Sequence, residues 1–418
     1  MTEKSPQELY EERLKRITDA IQLKVPDRVP FFPATHLYAA KHVGMTFEEA
    51  FYDSQKWTEA NKRTILDVDP DLFFSPGFAV FSSGQAFEAV DFKQIKWPGH
   101  GVSPDHTFQF VEGEYMKADE YDALLDDPSD YAVRTYMPRI YGTLQPFTML
   151  PPLKAMLFGY AGVGMTAMLA MPEIAKALES LQKAGLEAAK WSGAMAAFDA
   201  EMAALGYPSF AGAAVVVPFD LVSDMLRGMR GTMLDMYRQP DKLLATLDRV
   251  LPMLVGMAVS ASTMSGNPRV FIALHRGADG FMSLKQFETF YWPGLKALIL
   301  ALIDAGLTPC PFFEGCYDQR LEYLNELPKG KILGMFDSTD VFRAKGIIGN
   351  TVCICGNMPM SLLQTGTPDE VKDYARKLID VVGKGGGFIM GCRGVMDECD
   401  PKLVKVWADI TREYGVYR

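Results

Sequence analysis

Side chains that can act as acids, bases or metal ligands follow the predicted strands at the point where each strand ends. They are His36, His275, Glu314, Cys316, Asp337, Asn357 and Cys392. In a barrel of alternating strands and helices, the carboxyl ends of the strands meet at one rim. We therefore expect these residues to converge there, whereas chance placement would scatter them over both rims.

Glu314, Cys316 and Cys392 have the residue types of a zinc site. Glu314 and Cys316 are two positions apart in a loop that leaves one predicted strand, and Cys392 leaves the last one. Thiolates favour zinc over magnesium, and a carboxylate oxygen is an acceptable third ligand. Three protein ligands beside one open position are typical of catalytic zinc. The pattern predicts such a site, although a Glu-x-Cys spacing is also a common accident.

The other polar residues also have structural interpretations, which the sequence leaves open. Asp337 precedes Ser338 and could cap the next helix. His275 could be a hydrogen-bonded structural histidine. Asn357 follows Gly356 and could serve a tight turn.

The elements that would position these residues alternate in the second half of the chain. Short apolar runs separated by helical segments lie at 270–274, 308–313, 331–336, 351–355 and 387–390. Strands that alternate with helices indicate a parallel sheet. Weaker candidate strands lie at 29–33, 71–75 and 213–217, which brings the total to eight.

Eight strands predict an α/β fold of the (β/α)8 TIM barrel type, and a doubly wound open sheet is the main alternative. We expect one barrel domain over residues 1–418. It would carry an N-terminal helical extension at 1–27 and an insertion at 97–170. Within that insertion, residues 106–116 read as a hairpin, and residues 118–137 read as an acidic helix.

Composition excludes several classes of protein. The 418 residues are 48% hydrophobic and 22% charged, an ordinary globular balance. The formal net charge is −10 and no basic run occurs, which argues against nucleic-acid binding. Six cysteines are too sparse for a disulfide framework. The N-terminus has no secretory pattern, and glycines interrupt the most apolar stretch, 155–171. We expect a soluble, cytoplasmic protein that does not bind membranes and could form a homo-oligomer.

Beyond residue types, the C-terminal part of the chain resembles the uroporphyrinogen decarboxylase superfamily, and within it the corrinoid-dependent methyltransferase branch. The first half resembles the family only loosely. The order and spacing of the matching segments agree, and these segments are Phe281-Met282-Ser283, Phe290-Tyr291-Trp292-Pro293, Pro311-Phe312-Phe313-Glu314-Gly315-Cys316, Met335-Phe336-Asp337, Gly356-Asn357-Met358-Pro359, Gly366-Thr367-Pro368-Asp369-Glu370-Val371 and Gly386-Gly387-Phe388-Ile389 leading to Gly391-Cys392.

The resemblance implies a (β/α)8 barrel and a zinc site in which a His-x-Cys pair and a later Cys hold the metal. Glu314 stands at the His position, Cys316 at the first Cys and Cys392 at the second. The Glu-for-His replacement departs from the family pattern. The decarboxylase branch has an Arg-rich N-terminal signature, but the segment 28–36 contains only Arg28. A polyanionic tetrapyrrole needs several guanidinium partners, so this segment argues against porphyrinogen decarboxylation.

We therefore expect a zinc-dependent O-demethylase. It would move a methyl group from a small methoxylated donor, such as an aryl methyl ether, to the cob(I)alamin of a separate corrinoid protein. A separate carrier is implied because the chain lacks an Asp-x-His-x-x-Gly signature. Zinc would stabilise the charge on the leaving oxygen.

Two groups of residues would support that reaction. His275, Asp337 and Asn357 would orient the donor or move protons. The substrate pocket would be lined by His36, Phe312, Tyr317 and Phe336. The alternatives are methyl transfer involving a thiol or a methylamine, a metal-free decarboxylase, and a noncatalytic partner of a corrinoid protein.

Overall fold

A parallel sheet organises the chain in the computed structural model, which describes residues 4–417. Within those residues the order of the seven sheet strands is β1-β10-β9-β8-β7-β6-β5, and every neighbouring pair is parallel. The strands of the chain are β1 (Phe31–Phe32), β2 (Ile95–Pro98), β3 (Gly101–Val102), β4 (Gln109–Phe110), β5 (Ala213–Val216), β6 (Arg269–Leu274), β7 (Thr308–Phe313), β8 (Leu333–Phe336), β9 (Cys353–Cys355) and β10 (Phe388–Gly391).

The segment around Phe73 closes this sheet into a barrel. The Asp71 N–H donates to the carbonyl of Phe31 in β1 at 2.8 Å. On its other side, the Phe210 N–H donates to the Phe73 carbonyl at 2.8 Å, in the chain that leads into β5. The strand predicted at 71–75 is reduced to a single bridge between Phe73 and Ser209, because its remaining backbone groups do not pair as a ladder. The TIM barrel is thus confirmed, and the open sheet is excluded.

Aromatic rings fill the barrel interior. Phe32 of β1 stacks on Phe210 with ring centroids 4.6 Å apart, and Phe271 of β6 stacks on Phe312 of β7 at 6.2 Å. Phe210 and Phe271 lie edge to face at 6.1 Å and join the two pairs. The interior is a packed core, as is usual for barrels of this size.

Helices surround the barrel and fill the first half of the chain. Many begin at a Ser, Thr or Asp cap or at an N-terminal Pro, which are common helix starts. They are α1 (Pro6–Ile21), α2 (Tyr38–Val43), α3 (Phe47–Tyr52), α4 (Ser54–Val68), α5 (Pro76–Ala79), α6 (Gly84–Val90), α7 (Tyr121–Asp126), α8 (Pro128–Tyr131), α9 (Met137–Ile140), α10 (Tyr160–Met165), α11 (Pro172–Ala204), α12 (Pro218–Asp220), α13 (Gly228–Arg238), α14 (Pro240–Ser265), α15 (Leu284–Gln286), α16 (Trp292–Asp304), α17 (Val341–Ile348), α18 (Met360–Thr365), α19 (Pro368–Val381) and α20 (Pro401–Tyr414).

Irregular helical turns connect several of these helices. Between β7 and β8 the connection is helical only as a short 3₁₀ turn, Leu321–Glu326. The other 3₁₀ and π segments are Ala132–Tyr136, Gly142–Met149, Leu153–Phe158, Thr166–Ala170, Leu221–Leu226 and Phe287–Tyr291.

The region predicted as an insertion contains a second, small sheet. β2 pairs antiparallel with β4, with Ile95 opposite Phe110, so the hairpin predicted within 106–116 is wrong. The acidic segment 118–137 is broken into α7, α8 and a following turn, because Pro128 cannot continue the preceding helix. The division into one domain with an insertion at 97–170 stays a prediction.

One helix, α14, is long and apolar enough to cross a membrane by length and composition alone. Core helices of globular barrels pass the same test, and Leu243, Val250 and Leu254 of α14 are buried in the fold. The cytoplasmic location stays a prediction.

Candidate active site at the barrel mouth

His275 lies directly after β6 and is held by carboxylates. Its Nδ1 is 2.5 Å from Oδ2 of Asp224, and its Nε2 is 3.7 Å from Oε2 of Glu314. Asp224 lies in the helical turn that follows β5 and α12. Neighbouring barrel strands therefore deliver the histidine and both of its acidic partners to one point.

The carboxylates keep the imidazole of His275 protonated. Burial alone would lower its pKa, but the hydrogen bond to Asp224 and the charges of Asp220, Asp224 and Glu314 raise the pKa to about 9. The ring is therefore an imidazolium at neutral pH, with Nδ1–H donated to Asp224. The remaining proton, on Nε2, is on the side of Glu314.

Asp220 fixes the backbone on which His275 stands. Its carboxylate accepts the N–H groups of His275 and Arg276 at 2.8 and 3.0 Å, and also the hydroxyl of Tyr291 at 2.8 Å. The residue is fully buried. Burial and the nearby Asp224 raise the pKa of Asp220 to about 6, against the opposing charge of His275. Asp220 thus holds the end of β6 in place.

A cavity of about 460 Å³ opens in front of His275. One wall comes from the strand ends of the barrel and the other from the segment around β4, which the pairing with β2 carries over the mouth. The lining residues are Gln94, Phe110, Val111, Glu112, Asp224, Met225, His275, Arg276, Phe281, Glu314, Gly315 and Asp337. A volume of this size suits a small organic ligand.

The structure brings His275, Glu314 and Asp337 together at this cavity. The Asp337 carboxylate accepts the Gly315 N–H at 2.9 Å and the Ser338 hydroxyl at 3.0 Å. The cap of α17 is Asp340 rather than Asp337, so the capping interpretation of Asp337 is wrong.

Asn357 serves the turns behind the cavity instead of lining it. Its side-chain amide donates to the carbonyls of Asp337 and Thr339, both at 3.0 Å, and the residue is 1% exposed. Asn357 therefore holds the loop after β8, which corrects its assignment to the reacting groups. The structural interpretation explains this residue.

The three predicted zinc ligands are not gathered in this structure. Between Glu314 and Cys316, Gly315 has a φ of +86°, and this left-handed residue turns the chain so that the two side chains diverge. Glu314 faces His275, whereas the Cys316 thiol lies 3.3 Å from Asp318 and 3.6 Å from Asp279.

Cys392 lies in a third environment. Its buried thiol donates to the carbonyls of Pro33 and Gly394 at 3.1 and 3.2 Å. Burial raises the pKa of Cys316 to about 11 and that of Cys392 well above its usual range. Within residues 4–417, no three His, Cys, Asp or Glu side chains are placed to hold a metal ion. The predicted set does not fit zinc.

The four residues predicted to line the substrate pocket belong to the core, and within the described chain none of them reaches the cavity. The His36 ring is bonded to Asp397 at 2.7 Å. Phe312 fills the barrel interior, and the Tyr317 hydroxyl donates to the Leu274 carbonyl at 3.4 Å. Phe336 stacks on Phe313 at 4.8 Å. Aromatic residues at strand ends here complete the packing.

Sequence reasoning missed two kinds of site residue. Asp220 and Asp224 follow β5 just as His275 follows β6. They were missed because the apolar run at 213–217 is only a weak signal for a strand. Phe110 and Glu112 gave no signal, because their place at the mouth depends on the antiparallel pairing of β4 with β2.

Comparisons with known proteins agree with this architecture. The family described as uroporphyrinogen decarboxylase (URO-D) matches residues 172–414. The uroporphyrinogen decarboxylase of Syntrophotalea carbinolica is 24% identical over 169 residues, which cover 40% of this chain and 47% of that protein. The uroporphyrinogen decarboxylase of Klebsiella pneumoniae is 26% identical over 180 residues, which cover 42% of this chain and 49% of that protein. The chain thus spans about half the length of these curated relatives.

A solved structure extends the likeness to nearly the whole chain. A methyltransferase from Methanosarcina mazei superposes with a TM-score of 0.62 and covers 96% of this chain and 98% of its own. The sequence identity is 14%, so this likeness establishes the fold alone. The family match begins at residue 172, beyond β4 and its neighbours.

Proposed function

The chain belongs to the uroporphyrinogen decarboxylase family, and from that premise we propose that it is a methyltransferase of the corrinoid-dependent branch. Its donor would be a small methoxylated aromatic compound bound in the mouth cavity. Its acceptor would be cob(I)alamin on a separate corrinoid protein. The observation that carries the proposal is the position of His275, which faces that cavity between the carboxylates of Asp224 and Glu314.

Cleavage of a methyl ether needs a proton at the oxygen, because a bare phenolate or alkoxide leaves poorly. Nε2–H of His275 is the acid that would supply it. The proton passes to the ether oxygen as the bond from that oxygen to the methyl carbon breaks, and the product is a phenol. Cob(I)alamin would supply the electron pair for the new bond to the methyl carbon. His275 is left neutral and takes a proton from solvent.

Asp224 and Glu314 would support this proton transfer. Asp224 holds Nδ1 and so fixes the orientation of the ring. Glu314, 3.7 Å from Nε2, stabilises the charged ring before transfer and leaves room for a donor oxygen beside it. The predicted zinc ligands are apart, so the leaving oxygen would be assisted by the proton of His275.

The partners of two arginines argue against a tetrapyrrole substrate. Arg28, the arginine of the N-terminal segment, is bound at both Nη atoms by Asp71, at 2.7 and 2.9 Å. Arg276 is the arginine that lines the cavity, and its Nε is bound to Asp224 at 3.0 Å. A substrate with several carboxylates would therefore meet no free guanidinium among the lining residues.

The cavity is also too small for a corrin ring with its side chains. The methyl acceptor would therefore approach from outside, over the mouth, while the donor occupies the cavity. This arrangement supports a separate carrier protein, which stays a proposal.

The test is a single-turnover assay with chemically reduced cob(I)alamin and a panel of methoxyarenes. We expect the phenol and methylcobalamin to form in equal amounts, followed by chromatography and by absorbance. His275→Gln should lower the rate about 10²-fold or more on simple anisoles, the usual contribution of a general acid. The loss should be smaller with para-nitroanisole, whose leaving group needs no proton.

His42→Gln is the matched control, because His42 bonds to Asp67 far from the cavity and should keep the wild-type rate. The proposal fails if wild-type protein demethylates no methoxyarene. The acid assignment fails if His275→Gln slows all donors equally or not at all.

A further inference from the structure

We infer that the cavity selects a methyl donor whose ring carries a positively charged group over one that carries a carboxylate. This inference rests on the proposed function and names its substrate class. It follows from the charges that line the cavity and from how few of them are matched.

Carboxylates outnumber cations around the cavity. Glu112, Asp224, Glu314 and Asp337 line it, whereas its cations are His275 and Arg276. Even with His275 counted as fully charged, four negative groups face two positive ones. The chain as a whole is also acidic, with a net charge of −10, so distant charges do not reverse this sign.

The unmatched charge lies on the side of Glu314 and Asp337. Asp224 takes up both cations, with His275 at 2.5 Å and Arg276 at 3.0 Å. Glu314 is left with a 3.7 Å approach to His275, and more than half of its side chain is exposed. The Asp337 carboxylate accepts hydrogen bonds from a backbone N–H and a hydroxyl, and within the described residues it has no cationic partner. A donor's ammonium group would find two carboxylates here.

Aromatic rings add to this preference. Phe110 is 63% exposed, and its ring belongs to the cavity wall. Phe281, on the same cavity, already carries the Arg276 guanidinium 5.3 Å from its ring centroid. Aromatic faces attract cations through the ring quadrupole, so Phe110 is a second surface for an ammonium group. The apolar remainder of the wall suits the ring of the donor.

Beyond His275, whose Nε2–H the ether oxygen would occupy, a donor carboxylate has no comparable partner. Arg276 is the arginine it would need, but that guanidinium is bound to Asp224, lies 3.7 Å from Glu112 and rests on Phe281. An anionic donor would have to break these contacts and still face the excess negative charge. The arrangement therefore disfavours methoxybenzoates.

Three matched donors test the inference: para-methoxybenzylamine, para-methoxybenzyl alcohol and para-methoxybenzoate. We expect kcat/KM to fall in that order, with about a tenfold or larger difference between the first and the last at low salt. High salt should shrink the difference, because it screens charges in an open cavity. Equal values, or a preference for the benzoate, would overturn the inference.

Glu314→Gln identifies the residue responsible. The amine-to-benzoate ratio of kcat/KM should fall at least about threefold in this variant. Because the ratio compares donors within one variant, a change in the acidity of His275 cancels from it. Glu322→Gln removes the same charge from an exposed site on the 3₁₀ turn and should leave the ratio unchanged. An unchanged ratio in Glu314→Gln would exclude Glu314 as its source.

Binding separates this inference from the proposed function. Calorimetry of the three compounds without cob(I)alamin needs no turnover, and the amine should bind about tenfold or more tightly than the benzoate. Tighter binding of the amine than of the benzoate, without demethylation of any donor, would refute the proposed function but support the charge selection. Demethylation of all three with equal affinities would do the reverse.

Discussion

At the scale of single residues, the site depends on one imidazole between two carboxylates. The two ring nitrogens of His275 have different surroundings: Nδ1 is held by Asp224, and Nε2 lies on the side of Glu314. Asp220 acts one step further away, since it bonds to the backbone N–H of His275 rather than to the ring. The ring thus keeps both its charge and its direction.

The pH dependence of activity should report this protonation. The pKa of His275 is raised from 6.5 to about 9, and the acid acts only while protonated. We expect kcat/KM to be level near neutral pH and to fall as the pH rises through about 9. Asp224→Asn removes the bonded carboxylate and should move that fall to lower pH. The measurement is a pH profile with an anisole donor, and an unmoved alkaline limb would refute the assignment.

Folding stability should change in the same direction. A pKa that is higher in the folded state contributes stability that is complete below the unfolded value and is lost as pH rises through the folded value. Urea unfolding should therefore show a decline between pH 6.5 and about 9 that is smaller in His275→Gln, because buried thiols with a raised pKa add to the decline in both proteins. A decline of equal size in the variant would place its cause elsewhere.

The residue types predicted that His275, Glu314 and Asp337 lie at one rim of the barrel. They did not predict that Glu314 lies beside His275 and apart from Cys316. His275, Glu314 and Asp337 were found because they follow strands, and strand ends meet. The predicted zinc ligands do not converge in the structure, because spacing does not specify direction: Gly315 turns the chain between Glu314 and Cys316. That turn depends on a backbone angle, which residue spacing cannot reveal.

At the scale of elements, the small sheet β3-β2-β4 is the part that shapes the cavity. The Val111 N–H donates to the Gln94 carbonyl at 2.9 Å, just beyond the paired residues of β2 and β4. This bond holds the chain after β4 over the barrel mouth. The ring of Phe110 thereby forms part of the cavity wall, together with residues that follow β6 and β7.

Phe110→Ala should weaken donor binding without loosening the fold. The ring is largely exposed, so its removal takes little buried surface from the core but deletes one wall of the cavity. We expect KM for anisoles to rise about fivefold or more, with urea unfolding changed by less than about 0.5 kcal/mol.

Phe158→Ala is the control for Phe110→Ala, since Phe158 is equally exposed and does not line the cavity. Its KM should match that of the wild type. An unchanged KM in Phe110→Ala would remove β4 from the site.

The barrel strands of the second half could be predicted from sequence, because each is an apolar run between amphipathic helices. The first half could not, for two physical reasons. The closing segment at Asp71–Phe73 pairs through isolated bonds that leave no alternating pattern. β2 and β4 are too short to show one, and their partners are set by tertiary packing.

At the scale of the whole molecule, barrel closure rests on a buried ion pair network. Asp71 is fully buried and bonds to Arg16 of α1 at 2.6 Å and to Arg28 before β1 at 2.7 Å. It also accepts the Phe31 N–H at 2.8 Å. One carboxylate therefore ties the N-terminal helix to the seam between the first strand and the closing segment.

Asp71→Asn should destabilise the protein strongly. The substitution leaves Arg28 without its carboxylate partner, whereas Arg16 keeps Asp27 and Glu12, so we expect a cost of about 2–3 kcal/mol. Asp373→Asn removes an exposed carboxylate that pairs with Arg376 on α19, and it should cost less than about 1 kcal/mol. Urea unfolding of both variants checks the contrast, and equal losses would contradict the role of Asp71 at the seam.

The residues that line the cavity come from two separate stretches of the chain. His275 and its carboxylates lie within residues 220–337, inside the family match, whereas Phe110 and Glu112 precede it. One wall of the cavity is thus encoded in a different stretch of chain from His275 and its carboxylates. Exchanging residues 94–112 for another segment would change that wall while leaving His275 in place. Donor specificity would then be altered by grafting a single segment.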